Sequence, residues 1–466
     1  MDDLSDEIEV AMGVVDVTVG DQTTRTSSAI FFLLCFIVVF STVLFGAVDT
    51  TTWIIISLLW LSIVLLWLLD SWNAGGILFS SSSLQLPLVG LLIIGIVQLL
   101  PFSSGNAADA LTISTSHALS LDPYSTRFFV THLVVYLTFF ACCLLVINNE
   151  RRLKKAVLLI VIFGAGMAFF GILMRLSNPD AIYGLRQTPQ SIPFGPFVNQ
   201  HHFAAFMEMT AGMALAFLFG RGVARDRKLL VLIAVVVMGA AVVLTSSRGG
   251  LIGFFAVMAL VLLLNVLTRE SGKQGIQSKI AIAAAGIALI VTIFGLVLFL
   301  GGNESLFRGI GISNADTDIS SGRSHYWPIA IQIFLQHPIL GAGFDAFGVA
   351  FTQHDSWNGL LRVEQAHNDY LQTLADAGIA GFACVVAFIF LLFKKGISIL
   401  SHAGNSLRRN SAIGALAGCF GVLIHSFFDF PLRTPSNAFF FLLLAAVATI
   451  PLHVQHDHEH RHKRPF

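Results

Sequence analysis

Charged side chains are scarce in this sequence: they make up 12% of its 466 residues, whereas a soluble domain carries roughly 25%. The five cysteines fall inside apolar stretches and have no CxxC spacing, so the sequence does not predict a disulfide framework. The HExxH, GxSxG and Walker patterns are also missing, which excludes the common protease, hydrolase and ATPase classes. No alternating segments of ~10 residues occur, which excludes a membrane barrel of strands.

Long apolar runs are abundant instead, and hydrophobic residues make up 55% of the chain. About 20 such residues cross the ~30 Å hydrocarbon core as a helix, and helices satisfy their own backbone polar groups in lipid. The sequence therefore predicts an all-α polytopic membrane protein with about twelve transmembrane helices. The predicted spans lie near Ile30–Ala47, Trp53–Leu69, Leu86–Leu100, Phe128–Ile147, Ala156–Leu173, Phe203–Phe219, Leu229–Leu244, Leu251–Leu267, Ile280–Leu300, Phe382–Phe393, Ala412–Phe427 and Ala438–Ile450.

The distribution of basic residues predicts the orientation of these spans. When the N-terminus is placed inside, every lysine lies on the inner side and the outer loops carry only arginines, as the positive-inside rule expects. Residues 1–28 are acidic and are predicted to form a disordered cytoplasmic tail, and the His-rich residues 452–466 a second one. Residues 29–451 then form a single transmembrane domain, with a large outer loop at 301–381 that contains short helices between spans nine and ten.

Two outer arginines are candidate anion ligands, because arginine binds phosphate in a planar, bidentate way. Arg248 stands in SSRGG at the start of the eighth span, where a helix N-terminus favours anions. An interfacial arginine without a ligand is the alternative interpretation. Arg323 begins RSHYWPIAIQIF, which predicts an amphipathic helix at the membrane surface that stops near His337-Pro338.

Two further positions could carry chemistry. His367 lies in a predicted short helix, Glu364–Ala377, where a neutral imidazole could take a proton from a hydroxyl. The alternative interpretation is a loop histidine without a catalytic role. Glu208 lies inside the sixth span, where a buried carboxylate is a functional candidate that could pair with His201, His202 or an outer arginine. The two adjacent histidines lack the third ligand of a metal site. The DxD at Asp316–Asp318 is too short to indicate a metal-dependent transferase.

The order of the motifs resembles the O-antigen ligase family, which is related to O-antigen and exopolysaccharide polymerases. The motifs are SSRGG after a span, R-x3-W and HPILGAGF in the outer loop, and then HNDYLQ-x-LADAGIAGF. The segments GPFVNQHHFAAFMEM and HSFFDFPLRTPSNAFFF are also similar, so the resemblance runs from about Gly184 to Ala448. One position departs from the pattern, because His201 stands where the N-x-N-H run of the family has a second asparagine.

The resemblance implies a GT-C-like architecture and a glycosyltransferase of the bacterial inner membrane, and the distribution of basic residues predicts that both termini are cytoplasmic. A glycan would move from undecaprenyl diphosphate to an acceptor at the periplasmic face, either a lipid A core (ligase) or another glycan (polymerase). His367 would be the base or would orient the acceptor, and Arg248 and Arg323 would bind the diphosphate, with Arg186 as a third candidate. Asn368, Asn199 and Glu208 would support them. No metal, cofactor or nucleic acid is predicted, and membrane lipid is an expected partner.

Two other classes of function stay open from the sequence. A transporter or flippase of lipid-linked oligosaccharides could also line a cavity with arginines, but it should place charged residues in several spans and often contains internal repeats. Here most predicted spans contain no charged residue, the sixth span with Glu208 being the exception, and the candidate residues lie at the outer face. A membrane protein whose outer loop is only a docking surface is the third possibility.

Overall fold

The computed structural model describes residues 14–16, 24–101, 118–177, 181–189, 191–268, 276–277, 280–281, 283–293, 295, 322–357, 363–403 and 405–451. Nearly all of its regular structure is helical. In chain order the helices are α1 (Arg25–Val43), α2 (Thr50–Ala74), α3 (Gln85–Gln98), α4 (Pro123–Val146), α5 (Glu150–Ser177), α6 (Gln200–Phe219), α7 (Arg225–Leu244), α8 (Arg248–Leu267), α9 (Ala283–Ile293), α10 (Arg323–Gln336), α11 (Phe347–Thr352), α12 (Asp369–His402), α13 (Ser406–His425) and α14 (Pro435–Thr449). Short 3₁₀ turns lie at Phe45–Ala47 and Pro431–Arg433.

Strands are few and short. The strands β1 (Val14–Asp16) and β2 (Ile77–Phe79) pair in parallel, and β3 (Ala181–Ile182) and β4 (Arg186–Gln187) form a small antiparallel hairpin. Within the predicted N-terminal tail, β1 is therefore a strand, and α1 already begins at Arg25. The DxD at 316–318 and the tail at 452–466 lie outside the described residues, as does most of the outer loop before residue 322.

The all-α polytopic class is confirmed. Among the described residues, eight helices are long and apolar enough to cross a membrane: α1, α2, α4, α5, α6, α7, α8 and α12. Three of the other predicted spans coincide with the shorter apolar helices α3, α9 and α14, and one with α13, which is long enough but less apolar. The count of twelve spans and the GT-C-like architecture therefore stay predictions.

Helix α6 is the most buried of the long helices, and glycines let α13 pack closely against it. A Cβ on Gly212 of α6 would lie 2.8 Å from the backbone nitrogen of Gly418, and 3.0 Å from the carbonyl oxygen of Gly414. Small residues at such a crossing allow two backbones to approach each other in a membrane. The close approach of α6 and α13 brings Glu208 of the first helix to His425 at the end of the second.

Helix α12 is broken at Gly378, which adopts φ 61° and ψ −163° where the carbonyl of Ile339 comes too near for any Cβ. The part before the break, from Asp369 to Ala377, leads into the apolar span. The predicted short helix at Glu364–Ala377 was wrong at its start: Asn368 caps α12, and His367 precedes the helix. The helix predicted at Arg323 is confirmed, since α10 begins at Arg323 and ends with His337 as its C-cap. Its amphipathic character and its place at the membrane surface stay predictions.

We predict that Gly212→Ala destabilises the protein, because its methyl group would meet the backbone of α13 rather than a flexible side chain. Overpacking of this kind costs about 1–3 kcal/mol. Thermal unfolding of the purified protein in detergent should show a lower Tm. The matched control is Gly166→Ala in α5, where an added Cβ meets nothing within 4 Å. An equal Tm for the two variants would contradict the close approach of α6 and α13.

Candidate active site

The site is assembled around the ten residues from His425 to Thr434, which connect α13 to α14 and are called the 425–434 segment below. Most of the side chains singled out in the sequence converge on it. Asn368 Nδ2 donates to the Phe427 carbonyl at 3.1 Å, and Arg323 donates to the Phe428 carbonyl through Nε at 2.9 Å and Nη2 at 2.6 Å. The starts of α10 and α12 are thereby fixed at one end of the helix bundle.

His367 lies against this segment and pairs with one of its carboxylates. Its Nδ1 is 3.1 Å from Oδ1 of Asp429, whose side chain is 1% exposed, whereas the His367 side chain is 32% exposed. The backbone of His367 has a φ of 50°, in the left-handed region that non-glycine residues seldom occupy. The structure therefore places a partly accessible imidazole, in a sparsely populated backbone conformation, on a buried acid.

The charge of Asp429 determines which hydrogen bond joins it to His367. Burial alone would raise the pKa of Asp429, but the hydrogen bond from His367 and the nearby imidazoles of His201 and His202 hold it well below its ordinary value. An ionised carboxylate only accepts hydrogen bonds, so Nδ1 of the neutral imidazole carries the proton and donates it. Nε2 is then left with its lone pair, which is the arrangement of a general base oriented by an acid.

Arg248 also lies beside the segment. It is the first residue of α8, it is exposed, and it follows the N-cap Ser247, whose hydroxyl accepts from the Gly250 amide at 3.0 Å. A Cβ on the next residue, Gly249, would lie 2.8 Å from the His425 ring, so the helix start packs directly on the segment. Arg248 and Arg323 thus approach the segment from two different helices, and the amide groups at the start of α8 add to the positive potential there.

Arg186 is placed differently from the other two predicted arginines. Among the described residues it pairs with the carboxylate of Asp49, and its guanidinium lies 4.8 Å from the centre of the Phe45 ring. Both contacts are in the connection between α1 and α2, not in the 425–434 segment. The structure therefore does not group Arg186 with His367.

The residues at the start of α6 fill the other side of the segment. Asn199 caps α6 and accepts from the His201 amide at 2.8 Å, and His201 is hydrogen-bonded to Ser247 at 2.8 Å. His202 shares a hydrogen bond of 2.5 Å with the hydroxyl of Thr434. Glu208, however, pairs with His425 at 2.8 Å, so its predicted pairing with His201, His202 or an outer arginine was wrong.

Sequence reasoning missed the charged residues of the segment itself. Arg433 Nη2 lies 2.5 Å from the buried Asp376 and its Nη1 lies 3.1 Å from Asp345, while Asp429 pairs with His367. The sequence feature that could have indicated these residues is FDFPLR, in which an acidic and a basic residue stand four positions apart in a short apolar turn between two spans. Among the described residues, no group of three histidine, cysteine or acidic side chains could hold a metal ion.

A cavity of about 500 Å³ adjoins the polar cluster. Its walls are mostly apolar and come from α2, α3, α4, α12 and α14, whereas Arg433, Asp345, Asp369 and Gln365 make one part polar. Pockets for small ligands have this composition, with a few polar groups placed on an apolar lining. The cavity therefore suits a ligand with an apolar body and a polar end.

Comparison with known families bears directly on this site. The sequence model of the family described as O-Antigen ligase matches residues 233–386, a range that contains Arg248, Arg323, His367 and Asn368. The match confirms the resemblance to the O-antigen ligase family. It supports glycosyl transfer at a membrane as the general activity of the chain. No curated protein matches the sequence.

The ion pair of Arg433 yields a prediction on stability. Arg433→Gln should destabilise the protein by about 3–5 kcal/mol, because removal of one partner leaves the carboxylate of Asp376 buried without its counter-charge. The double variant Arg433→Gln/Asp376→Asn removes both charges and should recover much of that loss. Chemical unfolding in detergent would compare the wild type, Arg433→Gln, Asp376→Asn and the double variant. A double variant that is as unstable as the sum of two single variants would show that the two residues do not act as a pair.

Proposed function

We propose that this protein transfers a glycan from undecaprenyl diphosphate to an acceptor hydroxyl at the periplasmic face of the bacterial inner membrane. The observation that carries the proposal is the pairing of the partly exposed His367 with the buried Asp429 beside two arginines. This arrangement combines a base with cations that can stabilise an anionic leaving group. The family match supports the general class of reaction.

In the proposed reaction, the acceptor hydroxyl oxygen attacks the anomeric carbon of the donor glycan. A new C–O bond forms as the bond from that carbon to the diphosphate oxygen breaks. The hydroxyl proton passes to Nε2 of His367, and the bonding electrons leave with undecaprenyl diphosphate. Asp429 stabilises the imidazolium that results, because its carboxylate is held ionised 3.1 Å from Nδ1.

The arginines contribute at the leaving group. Negative charge grows on the diphosphate as the bond breaks, and fixed cations stabilise it without any reorganisation. Arg323 is anchored to the Phe428 carbonyl and Arg248 is exposed at the start of α8, where helix amides face the same region. Arg186 is the weaker candidate for this role, because the Asp49 carboxylate already neutralises its charge.

The apolar cavity supports a lipid-linked substrate. Its polar part includes Arg433, Asp369 and Gln365, the last of which lies two residues before His367. An isoprenoid or acyl chain would favour the apolar walls, with the head group toward the base. A lipid A core as acceptor would make the protein a ligase, and a second lipid-linked glycan would make it a polymerase. The transporter alternative has less support, since the paired charges of the described residues gather at one end of the bundle.

A reconstituted assay tests this proposal. Purified protein in liposomes would receive an undecaprenyl-diphosphate-linked oligosaccharide, with or without a lipid A core acceptor. Sugar that appears on the acceptor would indicate a ligase, and longer chains without added acceptor would indicate a polymerase. If folded wild-type protein transfers no sugar to either acceptor, the proposal fails. A flipping assay on the same liposomes would then test transport.

We predict that His367→Ala reduces transfer by at least about 100-fold, the lower range for the loss of a general base. Asp429→Asn should cause a large loss as well, because a neutral amide no longer stabilises the imidazolium. Groups that act as a unit are not additive, so the double variant should be no slower than His367→Ala alone. Initial rates in the liposome assay measure this. If the loss of rate in the double variant equals the product of the two single losses, His367 and Asp429 act independently and the proposed pairing is contradicted.

We also predict that Arg248→Lys greatly reduces transfer although it keeps the positive charge. Lysine cannot reproduce the planar, bidentate contact of a guanidinium with phosphate oxygens. The matched control is Arg127→Lys, which changes another exposed arginine in the first turns of a long helix, α4. The control should retain the wild-type rate. Equal rates for both variants would remove Arg248 from the diphosphate site.

A further inference from the structure

Three aromatic side chains form a platform next to His367 that the proposed chemistry does not use. The rings of His325 and Trp357 stack with centroids 4.2 Å apart and an angle of 6° between their planes. Tyr326 meets the Trp357 ring at 5.8 Å in an edge-on arrangement. These residues, His325, Tyr326 and Trp357, are called the aromatic platform below. Trp357 stacks on His325 and still remains 47% exposed, so part of its indole surface is accessible.

One carboxylate holds the platform together. Oδ1 of Asp355 accepts a hydrogen bond from Nε2 of His325 at 2.8 Å and another from the backbone amide of Trp357 at 3.0 Å. The hydrogen bond from His325 lowers the pKa of Asp355, and the bond from the Trp357 amide lowers it further. The stack is thus fixed on both sides by the same ionised group. The orientation of Trp357 is therefore fixed by the stack with His325 and by the hydrogen bond to Asp355, whereas a tryptophan that only anchors a protein at a membrane interface needs no such contacts.

The platform is rigidly connected to the candidate base. The Tyr326 ring, which meets the Trp357 ring at an angle of 64°, also stacks on His367 at 5.9 Å with an angle of 26°. On the next residue, the indole Nε1 of Trp327 donates to the Ala366 carbonyl at 3.1 Å, directly before His367. The Tyr326 ring of α10 therefore contacts both His367 and Trp357, so the platform and the candidate base are joined by one aromatic side chain.

We propose that the exposed surface of the Trp357 ring binds a pyranose ring of the transferred or the accepting glycan. The π-face of an aromatic ring carries negative potential, and the C–H groups on the less polar face of a pyranose are positively polarised, so the two surfaces attract each other. A flat, rigid ring orders a sugar at little entropic cost. This inference rests on the proposed function, since it assigns a glycan subsite to the same active site.

The position of the platform favours a sugar over a lipid chain. The apolar cavity that suits a chain is lined by α2, α3, α4, α12 and α14, and none of the three platform residues contributes to it. The platform instead includes an imidazole and adjoins a carboxylate, and polar groups at the rim of a ring suit the hydroxyls of a sugar. Cavity and platform would thus hold the lipid and the glycan parts of one substrate, with His367 near both.

Saturation-transfer difference NMR on the full-length protein in nanodiscs tests this inference. The first probe is the oligosaccharide that mild acid releases from the undecaprenyl-diphosphate-linked glycans of the host. The second probe is delipidated core oligosaccharide. Saturation of ring C–H protons in the first probe alone would assign the platform to the donor glycan, and in the second alone to the acceptor.

Trp357→Ala should weaken binding of the responding probe by roughly 3- to 10-fold, the range expected for loss of an aromatic contact, and Trp357→Phe should retain most of it. Trp72→Ala is the control, because Trp72 is 85% exposed at the end of α2 and carries no platform contact. In the transfer assay, Trp357→Ala should raise KM more than it lowers kcat. Unchanged binding by Trp357→Ala, an equal loss in Trp72→Ala, or no binding of either probe by the wild type would overturn the inference.

Asp429→Asn separates this inference from the proposed function. It removes the carboxylate that assists His367 and leaves every ring of the platform in place, so transfer should fall while probe binding persists. Oligosaccharide binding that depends on Trp357 in a wild-type protein without transfer activity would support the subsite and contradict the proposed reaction. Transfer activity with the same kcat and KM in the wild type and in Trp357→Ala would support the proposed reaction and contradict the subsite.

Discussion

An ionised carboxylate buried next to an imidazole is the constraint on which the site depends. Asp429 is 1% exposed, and a charge removed from water is costly unless donors and opposite charges surround it. Its Oδ1 receives His367 Nδ1 at 3.1 Å and the Phe430 amide at 3.0 Å, and the imidazoles of His201 and His202 lie near enough to lower its pKa. The start of α6, the residue that precedes the N-cap of α12, and the turn that follows α13 must therefore meet at this carboxylate.

The rest of the 425–434 segment repeats this pattern. His425 pairs with Glu208 of α6, and Arg433 pairs with Asp376 in the first part of α12. Each ionisable side chain of the segment thus has its partner on another part of the chain, so ten residues connect helices that are distant in sequence. The removal of one partner leaves the other buried, which is strongly destabilising. The same contacts that stabilise the bundle end therefore position the candidate base and its acid.

Local structure was largely predictable from the sequence, and the pairings were not. Apolar runs gave helices at each predicted span, and the helix at Arg323 ends where His337-Pro338 indicates, because both signals are local. His367 and Asp429 are 62 residues apart, and Glu208 and His425 are 217 apart. The helical periodicity of a sequence predicts contacts only within a few turns, so it could not predict these two pairs. The helix predicted at 364–377 begins later in the structure because Asn368, a strong N-cap residue, accepts from the Tyr370 and Leu371 amides.

The backbone of His367 shows how the fold prepares this residue before any substrate arrives. A non-glycine residue in the left-handed region is strained by about 1–3 kcal/mol and persists only where its surroundings determine it. Here both neighbours are fixed: the Ala366 amide donates to Gln372 Oε1 at 2.6 Å, its carbonyl accepts from Trp327, and the Asn368 side chain bonds to Phe427. Contacts from α10, α12 and the 425–434 segment therefore hold the strained residue in place. In the proposed reaction its imidazole would meet the acceptor already oriented, with little ordering left to be done on binding.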